Sequence, residues 1–231
     1  VAEKAVEIQA MLPGPLLLEE AGPRTFCVMS NGLPYSLSTV LSHEIGKFNT
    51  LLHCLSQSLA DLQKALQGLI VMSEVLDQTF DAVLRNAVPP SWQAVAYPSL
   101  MPLSAWVQDL VQRVDFVRSW LRRGEPTVFW LGGLFYPHGF ITGVLQAYAR
   151  QYHTSVDVLG LSFAVLAGEP PAAPPEAGVF VSGLHMDSCR WDPAARALAD
   201  CLPGQAFAPL PVVLFRPQPH HKQPAGHVTL P

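Results

Sequence analysis

Residues 126–166 read PTVFWLGGLFYPHGFITGVLQAYARQYHTSVDVLGLSFAVL and are the most informative stretch of the sequence. It opens with an uncharged run at residues 128–136 that contains Gly132 and Gly133. Apolar residues then recur at helical spacing between Gly139 and Tyr152, which predicts an amphipathic helix. From residue 156 to residue 165 the pattern changes to alternation among β-forming residues, which predicts a strand. The stretch therefore marks the point where helical sequence gives way to β-structure.

Upstream of this stretch, apolar residues form a long stripe that advances by alternating steps of four and three. Its positions are Leu41, Ile45, Phe48, Leu52, Leu55, Leu59, Leu62, Leu66, Leu69, Ser73, Leu76, Phe80 and Val83, of which Ser73 is polar. This spacing keeps one face of a helix apolar along its whole length. A continuous helix over these residues would be about 65 Å long. Gly68 costs about 1 kcal/mol inside a helix and is a candidate break.

The width of the stripe favours a globular helical bundle over a two-stranded coiled coil. The apolar face is widened by Leu51, Ala65, Ile70, Met72 and Val75. A coiled-coil seam is narrower than this. We expect the stripe to be a docking surface for a partner. A free-standing helical adaptor that dimerises through residues 41–83 is the alternative interpretation.

Shorter elements complete the prediction. Residues 1–10 are expected to form a short helix, and residues 103–123 a second amphipathic helix that Gly124 terminates. Strands are expected at residues 178–186 and 212–215. A short helix is expected at residues 193–201, with Asp192 as its N-cap and proline at its first position. Helices followed by strands predict the α+β class.

Composition narrows the class of protein. Hydrophobic residues make up 49% of the 231 residues and charged residues only 14%, against about 25% charged residues in an ordinary soluble domain. Part of the surface is therefore expected to be covered. A membrane is rejected because a spanning helix needs about 18 to 20 apolar residues, and the run at residues 128–136 is too short. We therefore expect the apolar surface to be buried against the rest of a larger protein. Net charge is −4 with scattered Lys and Arg, which argues against nucleic-acid binding.

The sequence contains only weak signals for a catalytic site. The sequence has no GxxxxGK[ST] phosphate loop. Residues 160–164 resemble the GxSxG nucleophile elbow, but Ser162 lies inside a strand-like run, whereas an elbow requires a strand followed directly by a helix. A hydrolase built around Ser162 is the competing enzyme hypothesis. Asp157 or Asp187 could be combined with His138, His153 or His185 into a triad, but with eight histidines in the chain such combinations arise by chance. His220, His221 and His227 could hold a metal ion, but a flexible tail lacks the rigid second shell that a specific metal site needs. We predict no catalytic, cofactor-binding or metal-binding residue. The four cysteines show no CxxC spacing and are expected to be reduced.

Five collinear blocks resemble the C-terminal region of axonemal dynein heavy chains. They lie at residues 62–92 (LQKALQGLIVMSEVLDQTFDAVLRNAVPPSW), 96–121 (AYPSLMPLSAWVQDLVQRVDFVRSWL), 127–152 (TVFWLGGLFYPHGF to AYARQY), 178–192 (GVFVSGLHMDSCRWD) and 210–217 (LPVVLFRP). The similarity covers residues 37–217. The third block resembles the sequence pattern of axonemal dyneins, from which cytoplasmic dyneins diverge.

The resemblance implies a segment that follows the sixth AAA+ module of the heavy-chain ring. A helical part would pack on the ring and an incomplete, small antiparallel β-barrel would lie against its face. The segment would be a non-catalytic structural and regulatory brace for ATP-driven, minus-end-directed microtubule motility in cilia and flagella. ATP and Mg would bind in upstream modules. Implied partners are the rest of the ring and, through the full chain, dynein intermediate and light chains and microtubules. The implied location is the cytoplasm and the cytoskeleton of the axoneme.

The resemblance also implies a division of the chain and a set of aromatic and glycine positions. Residues 1–36 would connect from the preceding AAA+ module, 37–153 form the helical region, 154–217 the partial barrel and 218–231 a disordered tail. The packing and interface candidates are Trp106, Trp120, Trp130, Gly132, Gly133, Phe140, Tyr148 and Trp191. The sequence departs from the family after Arg216, where the motif CPxYKTxxRxGxLSTTGHSTNFV is replaced by PQPHHKQPAGHVTLP. We therefore expect an exposed sheet edge.

Overall fold

The computed structural model describes residues 1–28, 32, 34–166, 168 and 171–219. These residues form an α+β fold, as predicted, and group into two compact units. The first unit contains residues 1–26 and 41–124. The second contains residues 27–40 and the described residues from 125 onward.

The first unit is a helical bundle. Its helices are α1 (Ala2–Met11), α2 (Ser36–Leu66, of which residues 41–66 belong to this unit), α3 (Glu74–Leu84), α4 (Pro90–Gln93) and α5 (Leu103–Arg123). The apolar stripe of α2 from Leu41 to Leu62 is interior, with no member more than 5% exposed. The predicted face of α5 is also buried, and Gly124 terminates that helix with a φ of 88°. The prediction of a globular bundle is therefore confirmed.

The long stripe is interrupted near Gly68, as its candidate break predicts, so the stripe does not form one continuous helix. α2 ends at Leu66, and Gly68 has a φ of 74°, which glycine adopts without the strain that a side chain would cause. Ser73, the polar position of the stripe, is the N-cap of α3, where its side chain accepts a hydrogen bond from the Leu76 N–H at 3.3 Å.

The connection between α2 and α3 leaves a compact apolar surface, which we call the apolar tip. It consists of Leu66, Leu69, Ile70, Val71, Met72 and Val75, which are 37 to 89% exposed. The prediction that the whole stripe is a docking surface is wrong, because its first half is buried in the bundle. A coiled coil through residues 41–83 is excluded for the same reason.

The second unit is built on a four-stranded mixed sheet with the strand order β1-β3-β8-β2. The strands are β1 (Val128–Trp130), β2 (Leu159–Val165), β3 (Val179–Ser182) and β8 (Val213–Pro219), and α6 (Pro137–Gln151) follows β1. Two small antiparallel pairs accompany the sheet: β4 (His185–Asp187) with β7 (Phe207–Pro209), and β5 (Cys189–Asp192) with β6 (Ala197–Asp200). Among the described residues these sheets do not close into a barrel, as predicted. The pairing of β1 with β3 is parallel, which the sequence did not indicate.

The predicted short helix at residues 193–201 is wrong. Asp192 ends β5, and its carboxylate accepts hydrogen bonds from the N–H groups of Ala194 and Ala195 at 2.9 and 3.2 Å. The backbone N–H groups of Ala195 and Ala194, with the charge of Arg190, lower the pKa of Asp192. The same local bonds that cap a helix can close a turn. Here they turn the chain into β6, which pairs with β5.

The predicted boundaries at residues 36, 153 and 217 stay a prediction. β8 extends to Pro219. The rest of the predicted disordered tail, residues 220–231, lies outside the described residues. Within the described part of the chain, no helix is both long enough and apolar enough to cross a membrane.

Candidate functional site

Three glycines surround Trp130 at the end of β1. A Cβ on Gly133 would lie 2.5 Å from Cε3 of the indole, and a Cβ on Gly183 would overlap its Cδ1. A Cβ on Gly132 would lie 3.2 Å from the Gly183 carbonyl oxygen. The structure thus brings together the predicted residues Trp130, Gly132 and Gly133, and the missing side chains allow the main chain to lie against the ring.

Helix α6 packs closely within the same unit. Phe140 is fully buried, and its ring centroid lies 4.8 Å from that of Phe129 in β1. A Cβ on Gly143 would lie 2.8 Å from Cγ2 of Val40, so the glycine permits close approach to the beginning of α2. The ring centroid of Tyr148 lies 4.3 Å from that of Tyr152, and Tyr152 is 49% exposed.

An aromatic and charged cluster occupies the first unit. Trp106 lies between Trp92 and Tyr97, with ring centroids 6.1 and 6.0 Å away. The Arg113 guanidinium lies 3.8 Å from the centroid of the Tyr97 ring. Its Nε donates to an Asp109 carboxylate oxygen at 2.6 Å, and both side chains are nearly buried. Burial, followed by the hydrogen bond and charge of Asp109, raises the pKa of Tyr97, and Arg113 partly opposes the shift.

This cluster borders an open cavity of about 840 Å³. Its walls include Tyr97, Leu100, Met101, Trp106 and Arg113. The charge that Arg113 brings to the wall is balanced by Asp109, so the cavity presents no net charge from this pair to a ligand. Its arrangement supports packing of the loop at residues 96–102 rather than recognition of an ion.

The other two predicted tryptophans lie apart from these groups. Trp120, near the end of α5, is 2% exposed, and its ring lies 6.5 Å from that of Phe116. Its neighbour in sequence, Arg122, forms an ion pair of 2.8 Å with Glu20. Trp191 is half-buried in β5, and its Nε1 has no hydrogen-bond partner among the described residues. The interface roles of these residues stay predictions.

Sequence reasoning missed two features. The cluster of Tyr97, Asp109 and Arg113 was signalled by an acidic and a basic residue four positions apart on a predicted helix. The apolar tip was signalled by an uncharged run between Lys64 and Glu74 that continues past Gly68. Both signals were hidden by the regular apolar period around them.

The candidate catalytic groups do not form a site. Ser162 lies in the middle of β2, and its Oγ donates to the Arg216 carbonyl oxygen at 3.2 Å. The strand-to-helix turn that a nucleophile elbow needs is not present at this serine, since β2 continues to Val165. Within the described residues, no group of three or more His, Cys, Asp or Glu side chains could hold a metal ion. His220, His221 and His227 lie outside those residues.

Fold and sites together define an α+β domain that is organised by buried aromatic packing and that leaves an apolar tip uncovered. The family model described as the C-terminal domain of the dynein heavy chain matches residues 1–231. The protein belongs to this family.

Similar proteins are axonemal members of the same group. The chain is 39% identical to human dynein axonemal heavy chain 6 over 96% of its length, which is 6% of that protein. It is 42% identical to human dynein axonemal heavy chain 1 over 81% of its length, or 4% of that protein. Mouse dynein axonemal heavy chain 3 is 36% identical over 94% of the chain, or 5% of that protein. The chain thus spans a small fraction of its curated relatives, and their axonemal class indicates the cytoskeleton of the cilium or flagellum as its location.

Proposed function

We propose that this chain is a non-catalytic structural and regulatory brace of an axonemal dynein heavy chain. In this role it supports ATP-driven, minus-end-directed movement along microtubules in cilia and flagella. Its direct partner is the AAA+ ring of the heavy chain. Intermediate chains, light chains and microtubules are partners of the complete motor, and ATP and Mg bind in upstream modules.

The observation that carries this proposal is the apolar tip. Leu69 and Val71 are 70 and 89% exposed, whereas the stripe from Leu41 to Leu62 is interior. Contiguous exposed apolar residues of this kind are typical of an interaction surface. No charged residue lies between Lys64 and Glu74 to oppose burial against a protein partner. The tip is therefore the part of the first unit that we expect to contact the ring.

The non-catalytic role is supported by the residues rather than by fold alone. The sequence contains no phosphate-binding loop, and the Ser162 hydroxyl is engaged by the neighbouring strand. Asp109 and Arg113 form a nearly buried ion pair beside Tyr97, so their charges neutralise each other. If the purified 231-residue chain hydrolysed ATP above a buffer control, this part of the proposal would be wrong.

The brace is tested by charging the tip in a complete axonemal heavy chain. We expect Leu69→Lys combined with Val71→Lys to lower microtubule gliding velocity several-fold, because two ammonium groups would be placed in an apolar contact. Leu100→Lys is the control, since Leu100 is a fully exposed apolar residue elsewhere in the same unit. Gliding velocity is measured for the wild type and both variants at equal surface density. Equal velocities for the tip variant and the control would contradict the proposal.

A further inference from the structure

Strand β2 lies at one edge of the four-stranded sheet. β2 pairs with β8 on one side, and no strand among the described residues pairs with its other side. The Leu166 N–H donates to the Val212 carbonyl at 2.8 Å, and the register places Ser162 opposite Arg216. In an antiparallel ladder, alternate residues exchange bonds with the same neighbour. Residues 160, 162 and 164 therefore bond to β8, and Leu161, Phe163 and Val165 direct their N–H and C=O groups outward.

This edge lacks the features that usually block pairing between protein molecules. Charged side chains, proline and short length protect natural edges. The strands of the two small pairs carry such features: His185 and Asp187 in β4, Arg190 and Asp192 in β5, Asp200 in β6, and Pro209 in β7. The sheet's opposite edge, β1, has only three residues. β2 is seven residues long, LGLSFAV, with neither a charge nor a proline.

We propose that the occupant of this edge is β2 of a second copy of the chain, paired antiparallel and centred on Phe163. In this register Phe163 lies opposite its own copy and Leu161 lies opposite Val165. Both pairs consist of residues whose backbone groups point outward, so each can exchange two hydrogen bonds. The pairing joins the four-stranded sheets of two molecules into one continuous sheet.

The side chains of β2 complement themselves in this register. Leu161, Phe163 and Val165 share one face, so apolar residues meet apolar residues and two aromatic rings meet at the centre, which stabilises cross-strand pairs. Ser162 and Ala164 share the other face and are small enough to permit close approach. Phe163 is 64% exposed. Its ring packs against that of Phe215 in the neighbouring strand β8, with ring centroids 4.9 Å apart.

The charge of β2 and the length of its available edge determine how strong the dimer is expected to be. Self-pairing of β2 brings no like charges together, because the strand contains no charged residue. Leu159 and Gly160 are buried, so the available edge covers residues 161–165, about 17 Å. An interface of this length buries less than about 1,200 Å², the class of weak and transient complexes. The dimer is therefore expected to form at high protein concentration. It does not depend on the proposed role of the apolar tip.

Sedimentation equilibrium between micromolar and millimolar concentration tests the dimer with two matched variants. Phe163 and Phe207 are both strand residues, 64 and 63% exposed. We expect Phe163→Lys to raise the dimer dissociation constant about tenfold or more, because it opposes two ammonium groups at the centre. Phe207→Lys and the tip variant Leu69→Lys with Val71→Lys should dimerise like the wild type. A monomeric wild type, or a Phe163→Lys variant that dimerises equally well, overturns the proposal.

Cysteine cross-linking tests the register in a protein that carries Cys27→Ser, since Cys27 is the exposed native thiol. Opposed residues of a hydrogen-bonded antiparallel pair have Cα atoms about 5.5 Å apart, a distance that suits a disulfide. Phe163→Cys should therefore give a disulfide dimer under mild oxidation, identified by mass spectrometry. Leu161→Cys should not, because its copy lies four residues along the facing strand, about 14 Å away. Preferential cross-linking at position 161 overturns the register.

Discussion

Tyr97, Asp109 and Arg113 form a unit in which each residue constrains the next. Asp109 and Arg113 lie one helical turn apart on α5, so their ion pair is local, and Tyr97 arrives from the preceding loop to lie against the guanidinium. The planar guanidinium can stack on a ring and bind a carboxylate at the same time, which an ammonium cannot do. The cluster therefore fixes the loop at residues 96–102 to the bundle.

The first prediction concerns the pH dependence of stability. Burial and Asp109 raise the pKa of Tyr97 above its ordinary value of 10.0. Above about pH 10 the unfolded protein releases this proton while the folded protein retains it, so the free energy of unfolding falls as pH rises. The contribution of Tyr97 to the free energy of unfolding is fully present below about pH 10 and is lost as the pH rises further. Urea unfolding from about pH 8 to about pH 11 should show a shallower decline in Tyr97→Phe. Tyr136→Phe, at a 43% exposed tyrosine, is the control and should follow the wild type.

The second prediction compares a nearly buried ion pair with an exposed one of the same spacing. The side chains of Asp109 and Arg113 are 12 and 13% exposed, and those of Asp81 and Arg85 are 56 and 72% exposed. Asp109→Asn removes the carboxylate that pairs with the Arg113 guanidinium and should lower the free energy of unfolding by about 3 kcal/mol. Asp81→Asn should change it by less than about 1 kcal/mol. Both values are measured by urea denaturation at neutral pH. Equal losses would show that burial does not determine the strength of these pairs.

At the scale of elements, the end of α2 depends on backbone conformation. Gly46 and Gly68 both have open space where a Cβ would be placed, but Gly68 has a φ of 74° and Gly46 lies in the regular helix. We predict that Gly46→Ala raises the free energy of unfolding by about 0.5 to 1 kcal/mol. Gly68→Ala should lower it by about 1 kcal/mol, because a left-handed conformation strains a residue with a Cβ. Thermal unfolding of the two variants measures these shifts. Stabilisation by Gly68→Ala would place the end of the helix elsewhere.

Some elements could be predicted from sequence because local and tertiary preferences agree. α5 has the predicted bounds, since its apolar period, its basic last turn and Gly124 all indicate the same helix. The error at Asp192 arose because N–H groups two and three residues ahead donate to such a carboxylate both in a turn and at a helix start. The parallel contact of β1 with β3 could not be predicted, because its residues are far apart in sequence and nothing local specifies the partner.

The same contrast holds for the candidate sites. Gly132 and Gly133 were recognisable because adjacent glycines permit a tight backbone turn and because the family resemblance marks them as packing candidates. Gly183, which covers the other part of the Trp130 ring, was not recognisable, because its contact is made across the sheet rather than between neighbours in sequence. Tip residues such as Leu69 were assigned to the stripe, since an apolar period alone does not show where the bundle stops covering it.

At the scale of the whole molecule, the low charge of the protein has two different explanations. The first is a real core: the leucines of α2 and the tryptophans of α4 and α5 are interior. The second is uncovered apolar surface, in the tip and along the edge of β2. These surfaces differ in kind, because the tip offers side chains alone and the edge also offers backbone hydrogen bonds. A protein partner is therefore expected to cover the tip without regard to strand register, whereas the edge requires an extended segment.

The last prediction concerns the solubility of the isolated 231-residue protein. The tip variant Leu69→Lys with Val71→Lys should raise the protein concentration that remains soluble in ammonium sulfate and should lower the fluorescence of a bound apolar dye, because the tip is a contiguous apolar patch. Its free energy of unfolding should stay within about 0.5 kcal/mol of the wild type, as expected for exposed positions. Leu100→Lys adds the charge of a lysine at a fully exposed residue outside the tip and should improve solubility much less. If one lysine at position 100 matched the effect of the two tip lysines, net charge rather than the tip would control solubility. Unfolding of the tip variant would show instead that Leu69 and Val71 contribute to the core of the bundle.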